Sequence, residues 1–138
     1  MPWVGFSQGI NNIWLSGYDL GVSSRADFGV TSIDFYSGFP DTLHTSSPMD
    51  FSDCNANISD SLGNLLFYTN GIYIANANND TMVNGSGLNP GTYTTQHVNQ
   101  GLRVKQGNLI LPMPGTPNVY YLFHETMDLD ATVNDNRP

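Results

Sequence analysis

The chain has 138 residues, with twelve acids against four bases and a formal net charge of −8. Its length corresponds to one domain with a sizeable core, about two thirds of the unfolded surface being buried at this size. No basic stripe is available to neutralise phosphates, which argues against nucleic acid as a partner, and an acidic surface repels anionic lipid.

Strong helix formers are scarce: one Glu (Glu125), one Lys (Lys105) and three Arg. Turn residues and aromatics dominate instead, which predicts short strands and many loops. The single cysteine, Cys54, allows no internal disulfide and no Cys/His metal cluster, so a small buried hydrophobe is its expected role. No apolar run reaches transmembrane length, so membrane insertion is not expected. MPWVGFSQGI lacks the basic region and apolar core of a signal peptide. The polar ending TVNDNRP carries no closing element, and the chain reads as a piece of a longer protein.

Residues 1–31 are expected to be an irregular lead-in. Apolar anchors such as Trp3, Ile13 and Trp14 lie among Gly, Ser and Asn, with one short strand near Asn12–Ser16. Asp19–Gly29 reads as a loop with a short strand near its end. Ser32–Tyr36 alternates and is bounded by the turn SGFP, which predicts a strand. A polar stretch centred on HTSSPMD follows, then a short strand over Asn55–Asp60 and a turn at SLG. Asn64–Thr69, NLLFYT, is the strongest strand signal. Asn70-Gly71 then predicts a two-residue hairpin turn, because both residues tolerate positive φ, with Ile72–Asn76 returning. On NLLFYT, Leu65 and Phe67 face one way and Leu66 and Tyr68 the other. Both faces are apolar, which predicts a sheet covered on both sides by stacked neighbours.

Asn78–Asn89 reads as a loop. Gly91–Val104 reads as a loop with some extended structure. A second hairpin is expected from NLILPM, Asn108–Met113, through PGTP to NVYYLFHE, Asn118–Glu125. Pro112 makes its first strand an edge strand or ends it early. The two hairpins are offset by 53 residues at Ile58 and Leu111, and by 54 at Phe67 and Tyr121. A repeat of that length fits a propeller blade with inserted loops.

The run ANISDSLGNLLFYTNGIYIANANNDTMVNGSGL, from Ala56 to Leu88, resembles the pattern "TISD..GNLLFYT(D/N)G..VWN.....M.NG.GL". That pattern belongs to the WD40-like or YVTN-type β-propeller domains of large secreted proteins from Bacteroidetes-type bacteria. Gln96 stands for a Gln-containing segment of that family, and LPMPGTPNVYYLF, Leu111–Phe123, is similar to its "P.PG....YY.F". IDFYSGFP at Ile33–Pro40 and NIWLSGY near Asn12 resemble its upstream elements. The chain departs from the pattern in having DFSDC before the ISD strand and Ala75 in place of an aromatic. The resemblance implies an all-β fold of antiparallel blades in a partial β-propeller of about two blades. The first blade would span about 32–90 and the second, incomplete, about 91–138. It further implies an exported or cell-surface protein carrying a C-terminal sorting domain, and it transfers no catalytic motif.

Chemistry-bearing residues do not assemble into a site along the sequence. His44, His97 and His124 are far apart, and His124 and Glu125, adjacent on a strand, point to opposite faces. Among Asp34, Asp60, Asp80 and Glu125, a glycosidase-type pair would need two carboxylates facing one substrate. Asp60 instead suits a bond to backbone N–H at the SLG turn, and Asp34 a solvent-facing position. GSGLNPG lacks the Lys-Ser and helix start of a phosphate loop, and no G-x-S-x-G elbow occurs. The sequons at Asn57 and Asn84 match a glycosylation pattern by letter only. Tyr18, Tyr36, Tyr68, Tyr73, Tyr93, Tyr120 and Tyr121 suit packing between blades, or a sugar platform where exposed.

No catalytic, cofactor-binding or metal-binding residue is therefore assigned, and no cofactor is expected. The leading expectation is a non-enzymatic propeller module for protein interaction or adhesion, with the remainder of its own propeller as partner. The alternative is a glycan-binding or glycan-hydrolysing propeller, with calcium as an optional aid held by Asp and loop carbonyls.

Overall fold

The computed structural model describes residues 9–17, 29–45, 47–51, 53–98 and 100–127. A short 3-10 turn, Gly9–Asn11, leads into β1 (Ile13–Gly17), β2 (Val30–Asp34) and β3 (Asp41–Thr45). Then come β4 (Ala56–Ser59), β5 (Leu65–Thr69) and β6 (Ile74–Asn76), a six-residue helix α1 (Thr92–His97), and the pair β7 (Asn108–Pro112) and β8 (Tyr120–His124). These strands form three small antiparallel sheets, the meanders β1-β2-β3 and β4-β5-β6 and the hairpin β7-β8. The fold is mostly β, as the composition predicts. No helix among the described residues is long and apolar enough to cross a membrane.

Strand parity explains how the sheets stack. Tyr68 stands opposite Asn57 and Ala75, and Phe67 stands opposite Ile58 and Asn76. The Tyr68 side of the middle sheet packs on the first sheet: Leu15, Val30, Met49, Phe51, Tyr68 and Ala75 form one buried cluster. Within it the Phe51 and Tyr68 rings meet edge to face at 5.5 Å. The Phe67 side turns to the third sheet, where Phe67 meets the Tyr120 ring at 5.2 Å. The doubly apolar strand NLLFYT is thus covered from both sides, as its sequence requires. A second buried cluster, Cys54, Ile72, Tyr93 and Leu102, ties the turn after β5 to α1 and its following loop.

The first strands of the sheets lie side by side, β1 against β4 and β4 against β7. Each supplies one buried aliphatic residue, Leu15, Ile58 and Ile110. The third strands lie on the far side of their sheets. Beyond β6 the chain folds back along it: Ile74 N–H donates to Gly85 C=O at 2.7 Å, and Met82 N–H to Ile74 C=O at 3.0 Å.

Several elements differ from the sequence reading. β1 falls within residues 1–31 and pairs fully with β2, which begins at Val30 and so crosses the expected boundary at 32. β2 also ends at Asp34 rather than Tyr36, because the Asp34 carboxylate accepts the Tyr36 N–H at 2.8 Å and turns the chain. The strand expected near the end of Asp19–Gly29 lies largely outside the described residues. Asp41–Thr45, read as part of a polar stretch, is β3. An outer strand with its side chains largely in water needs no apolar alternation, only the backbone ladder to β2.

Gly91–Val104 contains a helix where extended structure was expected. Tyr93 anchors it in the second cluster, and Thr94 and Thr95 hydroxyls bond the carbonyls of Asn89 and Gly91. Tertiary anchoring thereby overrides the β preference of Thr and Tyr. The Asn70-Gly71 turn is also longer than two residues, since Thr69 pairs with Ile74. Gly71 takes φ +88° but Asn70 does not join it in the left-handed region. Thr69 Oγ1 instead accepts the Gly71 N–H at 3.0 Å and donates to Tyr73 C=O at 2.6 Å, while Asn70 Oδ1 accepts the Ile72 N–H at 3.2 Å. The wider turn carries Ile72 into the core. A Cβ at Gly71 would meet Leu102 Cδ1 at 2.7 Å, so the position needs glycine for space as well as for φ.

Ile58 is buried at the seam between the second and third sheets, and truncation there leaves a cavity that two sheets cannot both close. Ile58→Ala is expected to cost about 2–5 kcal/mol in urea unfolding followed by circular dichroism. A loss under about 1 kcal/mol would mean that the seam is not a packed core.

Candidate functional site

A cleft of 510 Å³ runs along the first strands, lined by Asn11, Trp14, Ser16, Asn55, Asn57 and Leu109 among others. None of its lining residues is ionisable. Its construction begins with alternation in the NANI segment. Asn55 and Asn57 fall on one side of the strand, and Ala56 and Ile58 on the other. The two asparagines reach across to β1. Asn57 Oδ1 accepts the Leu15 N–H at 3.3 Å, while its Nδ2 donates to Ile13 C=O at 2.5 Å. Asn55 Nδ2 donates to Leu15 C=O at 2.8 Å. Side-chain amides thus occupy the open edge of β1 much as a neighbouring strand would. Trp14, on the opposite side of β1 from Leu15, is braced edge to face by Phe35 at 5.0 Å and remains exposed.

The amide of Asn108 plays a related part at the third sheet. In the orientation that satisfies both of its ends, its oxygen accepts the Gly71 N–H at 3.0 Å and its nitrogen donates to Gly107 C=O at 3.2 Å. The amide also stands 2.8 Å from the sulfur of Cys54. Cys54 is buried and free, in the place of a small hydrophobe as expected, and burial pushes its thiol pKa up. A thiol held protonated is a poor nucleophile.

The residues weighed from sequence are spread over the molecule. His44 meets Thr31 Oγ1 at 3.3 Å on the first sheet. His97 stacks on Tyr93 at 4.3 Å and contacts the Tyr93 carbonyl at 3.0 Å within α1. His124 lies on β8, with Nδ1 3.3 Å from the Glu125 carbonyl. No group of three His, Cys, Asp or Glu among the described residues could hold a metal ion.

Two carboxylates, those of Asp34 and Asp60, serve turns, whereas Asp80 acts through its backbone. Asp60 accepts the N–H groups of Leu62 at 2.8 Å and Asn64 at 2.9 Å through one oxygen, and the Asn64 amide at 2.9 Å through the other. These bonds, the Asn64 side chain foremost, hold its pKa below the usual carboxylate value. Asp80 closes a small loop with Asn76, donating its N–H to Asn76 Oδ1 at 3.0 Å and accepting the Asn76 N–H at its carbonyl at 2.9 Å.

The tyrosines divide by position. Tyr68 and Tyr93 are buried, their hydroxyls donating to Asn79 Oδ1 at 2.5 Å and to Gly101 C=O at 3.3 Å. Burial raises the pKa of Tyr68 and, with the nearby Tyr68 and Asp50, that of Tyr73. Tyr36, in the turn after β2, and Tyr121, on β8, are exposed far apart in the chain. Tyr18 lies outside the described residues. Among the described residues no single face collects the tyrosines into one platform. Sequence reasoning missed Asn55 and Asn57, whose signal is the alternation of asparagine with Ala56 and Ile58.

A scan against protein-family models finds no match, and searches of curated proteins and of solved structures likewise find none.

Substitutions at two positions test this arrangement. Asn57→Ala strips the β1 edge of a donor and an acceptor and is expected to cost about 1–3 kcal/mol, with Asn57→Asp recovering little because it cannot donate to Ile13. Chemical denaturation of the three proteins measures the difference. Asp60 contributes stability that is present above the unfolded-state carboxylate pKa and lost as pH falls through its lower folded-state value. Asp60→Ala is therefore expected to flatten the acid limb of a melting-temperature profile. An unchanged limb would show that the turn bonds do not form in solution.

Proposed function

We propose that the three sheets are three consecutive blades of a β-propeller. In this reading the chain is a non-enzymatic interaction or adhesion module of an exported or cell-surface protein, with the remainder of its propeller as first partner. The observation that carries the reading is the repetition of one arrangement. The first strands β1, β4 and β7 lie side by side, and each sheet runs away from that line. A propeller has the same radial plan, with blades arranged around a central channel. The sequence reading allots about two blades to the chain; taking each of the three described sheets as a blade makes three. Export is supported by the resemblance of Ala56–Leu88 to propeller domains of large secreted proteins.

The faces of the third sheet fit a blade that expects a neighbour. Tyr120 turns to the middle sheet, so Tyr121 and Phe123 and their cross-strand partners Leu111 and Leu109 turn away. These four side chains are 44%, 57%, 42% and 51% exposed. An apolar sheet face of this kind marks an interaction surface.

A glycan-binding version has its own support in the uncharged cleft beside the exposed Trp14 ring, a surface suited to a neutral sugar. Two carboxylates do not line that cleft, so binding is better supported than hydrolysis.

Protease treatment of intact source cells, followed by mass spectrometry of the released peptides, tests the exported module. Peptides from Phe51–Lys105 are expected in the shaved fraction. Their recovery only after lysis would overturn export.

A further inference from the structure

We propose that the pocket between the loop after β6 and α1 is a binding site for an uncharged, ring-bearing small molecule that carries a hydrogen-bond acceptor such as a ketone. This pocket is separate from the cleft along the first strands, and its nine lining residues all fall between Pro48 and Val98. The site therefore needs no neighbouring blade and does not rest on the propeller reading.

The pocket has a volume of 470 Å³, in the range of sites that hold small organic ligands. Pro48, Ile72, Val98 and the ring of Tyr73 form its apolar walls. Ile72 is buried and packed in one cluster with Cys54, Tyr93 and Leu102. An aromatic wall such as Tyr73 offers a face on which a second ring can stack. Gly87 adds no side chain, and a Cβ there would meet nothing within 4 Å, so the space beside it is open.

The walls are fixed by backbone bonds. Met82 N–H donates to Ile74 C=O at 3.0 Å, Ile74 N–H to Gly85 C=O at 2.7 Å and Leu88 N–H to Ile72 C=O at 3.3 Å. A Cβ at Gly85 would lie 2.9 Å from the carbonyl oxygens of both Ile74 and Met82, which shows how closely the loop packs on β6. On the helix side the Thr94 hydroxyl is tied to the Asn89 carbonyl. A site built in advance loses little conformational freedom on binding.

Three features set the chemistry of the occupant. First, no Asp, Glu, Lys, Arg or His lines the pocket, in a chain with twelve acids and four bases. Burial foremost raises the pKa of Tyr73, so its phenol stays neutral. A charged ligand would lose hydration here without gaining an ionic partner. Second, the hydroxyls of Thr81 and Ser86 make no side-chain hydrogen bond among the described residues and are free for a ligand. Third, the Asn79 amide is half used. Its Oδ1 accepts the Tyr68 hydroxyl at 2.5 Å, which leaves its nitrogen as a donor beside the apolar walls. Such a donor calls for an acceptor on the ligand. A sugar, with hydroxyls all round, would leave several of them unpaired against these walls.

Fluorescence titration of the full chain with prodan, a neutral naphthyl ketone, tests the proposal. One saturable site with a Kd of about 10–100 µM and blue-shifted emission is expected. Ser86→Trp places an indole at an exposed position of the rim and is expected to weaken binding by about 10-fold or more, with unchanged circular dichroism. If that variant misfolds, Val98→Trp on the helix side replaces it. Asn79→Asp keeps an acceptor for Tyr68 and removes the donor. It is expected to weaken prodan by about 2–10-fold more than it weakens 2-dimethylaminonaphthalene, which lacks the ketone. The anionic 8-anilinonaphthalene-1-sulfonate is expected to bind about 10-fold more weakly than prodan.

Absence of saturable prodan binding at about ten times the expected Kd overturns the site. So does binding that survives the tryptophan variants and is lost in Leu111→Lys/Phe123→Lys, which would place the dye on the β7-β8 face. An anionic dye bound as tightly as prodan overturns the uncharged class. Equal losses of prodan and its ketone-free analogue in Asn79→Asp overturn the acceptor.

Discussion

The structure depends on one strand that is apolar on both faces. β5 places Phe67 on one side and Tyr68 on the other, and neither ring can be left in water without losing the burial that holds so short a sheet together. Two further sheets are therefore needed, one against Tyr68 and one against Phe67. The β1-β2-β3 sheet supplies Leu15, Val30 and, through the following segment, Phe51. The β7-β8 sheet supplies Tyr120 and Ile110. Stacking satisfies the middle sheet and moves the problem outward, because each added sheet has a far face of its own. A closed ring is the arrangement in which every such face is covered.

Asparagine does much of the work where strand edges would otherwise stand open. Asn57 offers β1 both a donor and an acceptor, and Asn55 adds a second donor. Asn108 links the turn at Gly71 to the start of β7. An amide side chain can do this because it carries the same two groups as a peptide bond, in a similar plane. Two carboxylates are used differently, as local acceptors at turns, with Asp60 and Asp34 closing loops on their own neighbours. The abundance of Asn and Asp in this chain thus has a structural explanation in edges and turns.

Legibility from sequence followed the range of the interactions involved. The hairpins around SLG and PGTP, the early end of β7 at Pro112 and the Asp60 turn rest on residues a few positions apart, and all were readable. The helix Thr92–His97 was not, because Tyr93 is held by Ile72 and Leu102 across the core, against the local preference of its residues. β3 was hidden for a different reason. Its strand character comes from the backbone ladder to β2, and its polar side chains carry no period to read. The cleft along the first strands was only half visible. The alternation of Asn55 and Asn57 was present in the letters, but its target, the backbone of β1, lies 40 to 44 residues away.

By itself the sequence determined the β class, the turns at SLG and PGTP and the need for a two-sided cover over NLLFYT, since propensity, turn chemistry and side-chain parity are set within a few residues. The tertiary structure alone decided that the described strands group into three sheets, and that β1, β4 and β7 line up. It also decided which apolar residues end up buried between sheets and which, like Phe123 and Trp14, are left on the ends of the stack. The physical reason is that Leu109, Leu111, Tyr121 and Phe123 are as apolar as the residues that face the middle sheet. Parity assigns them to one face together, but only the placement of that face in the stack says whether anything covers it.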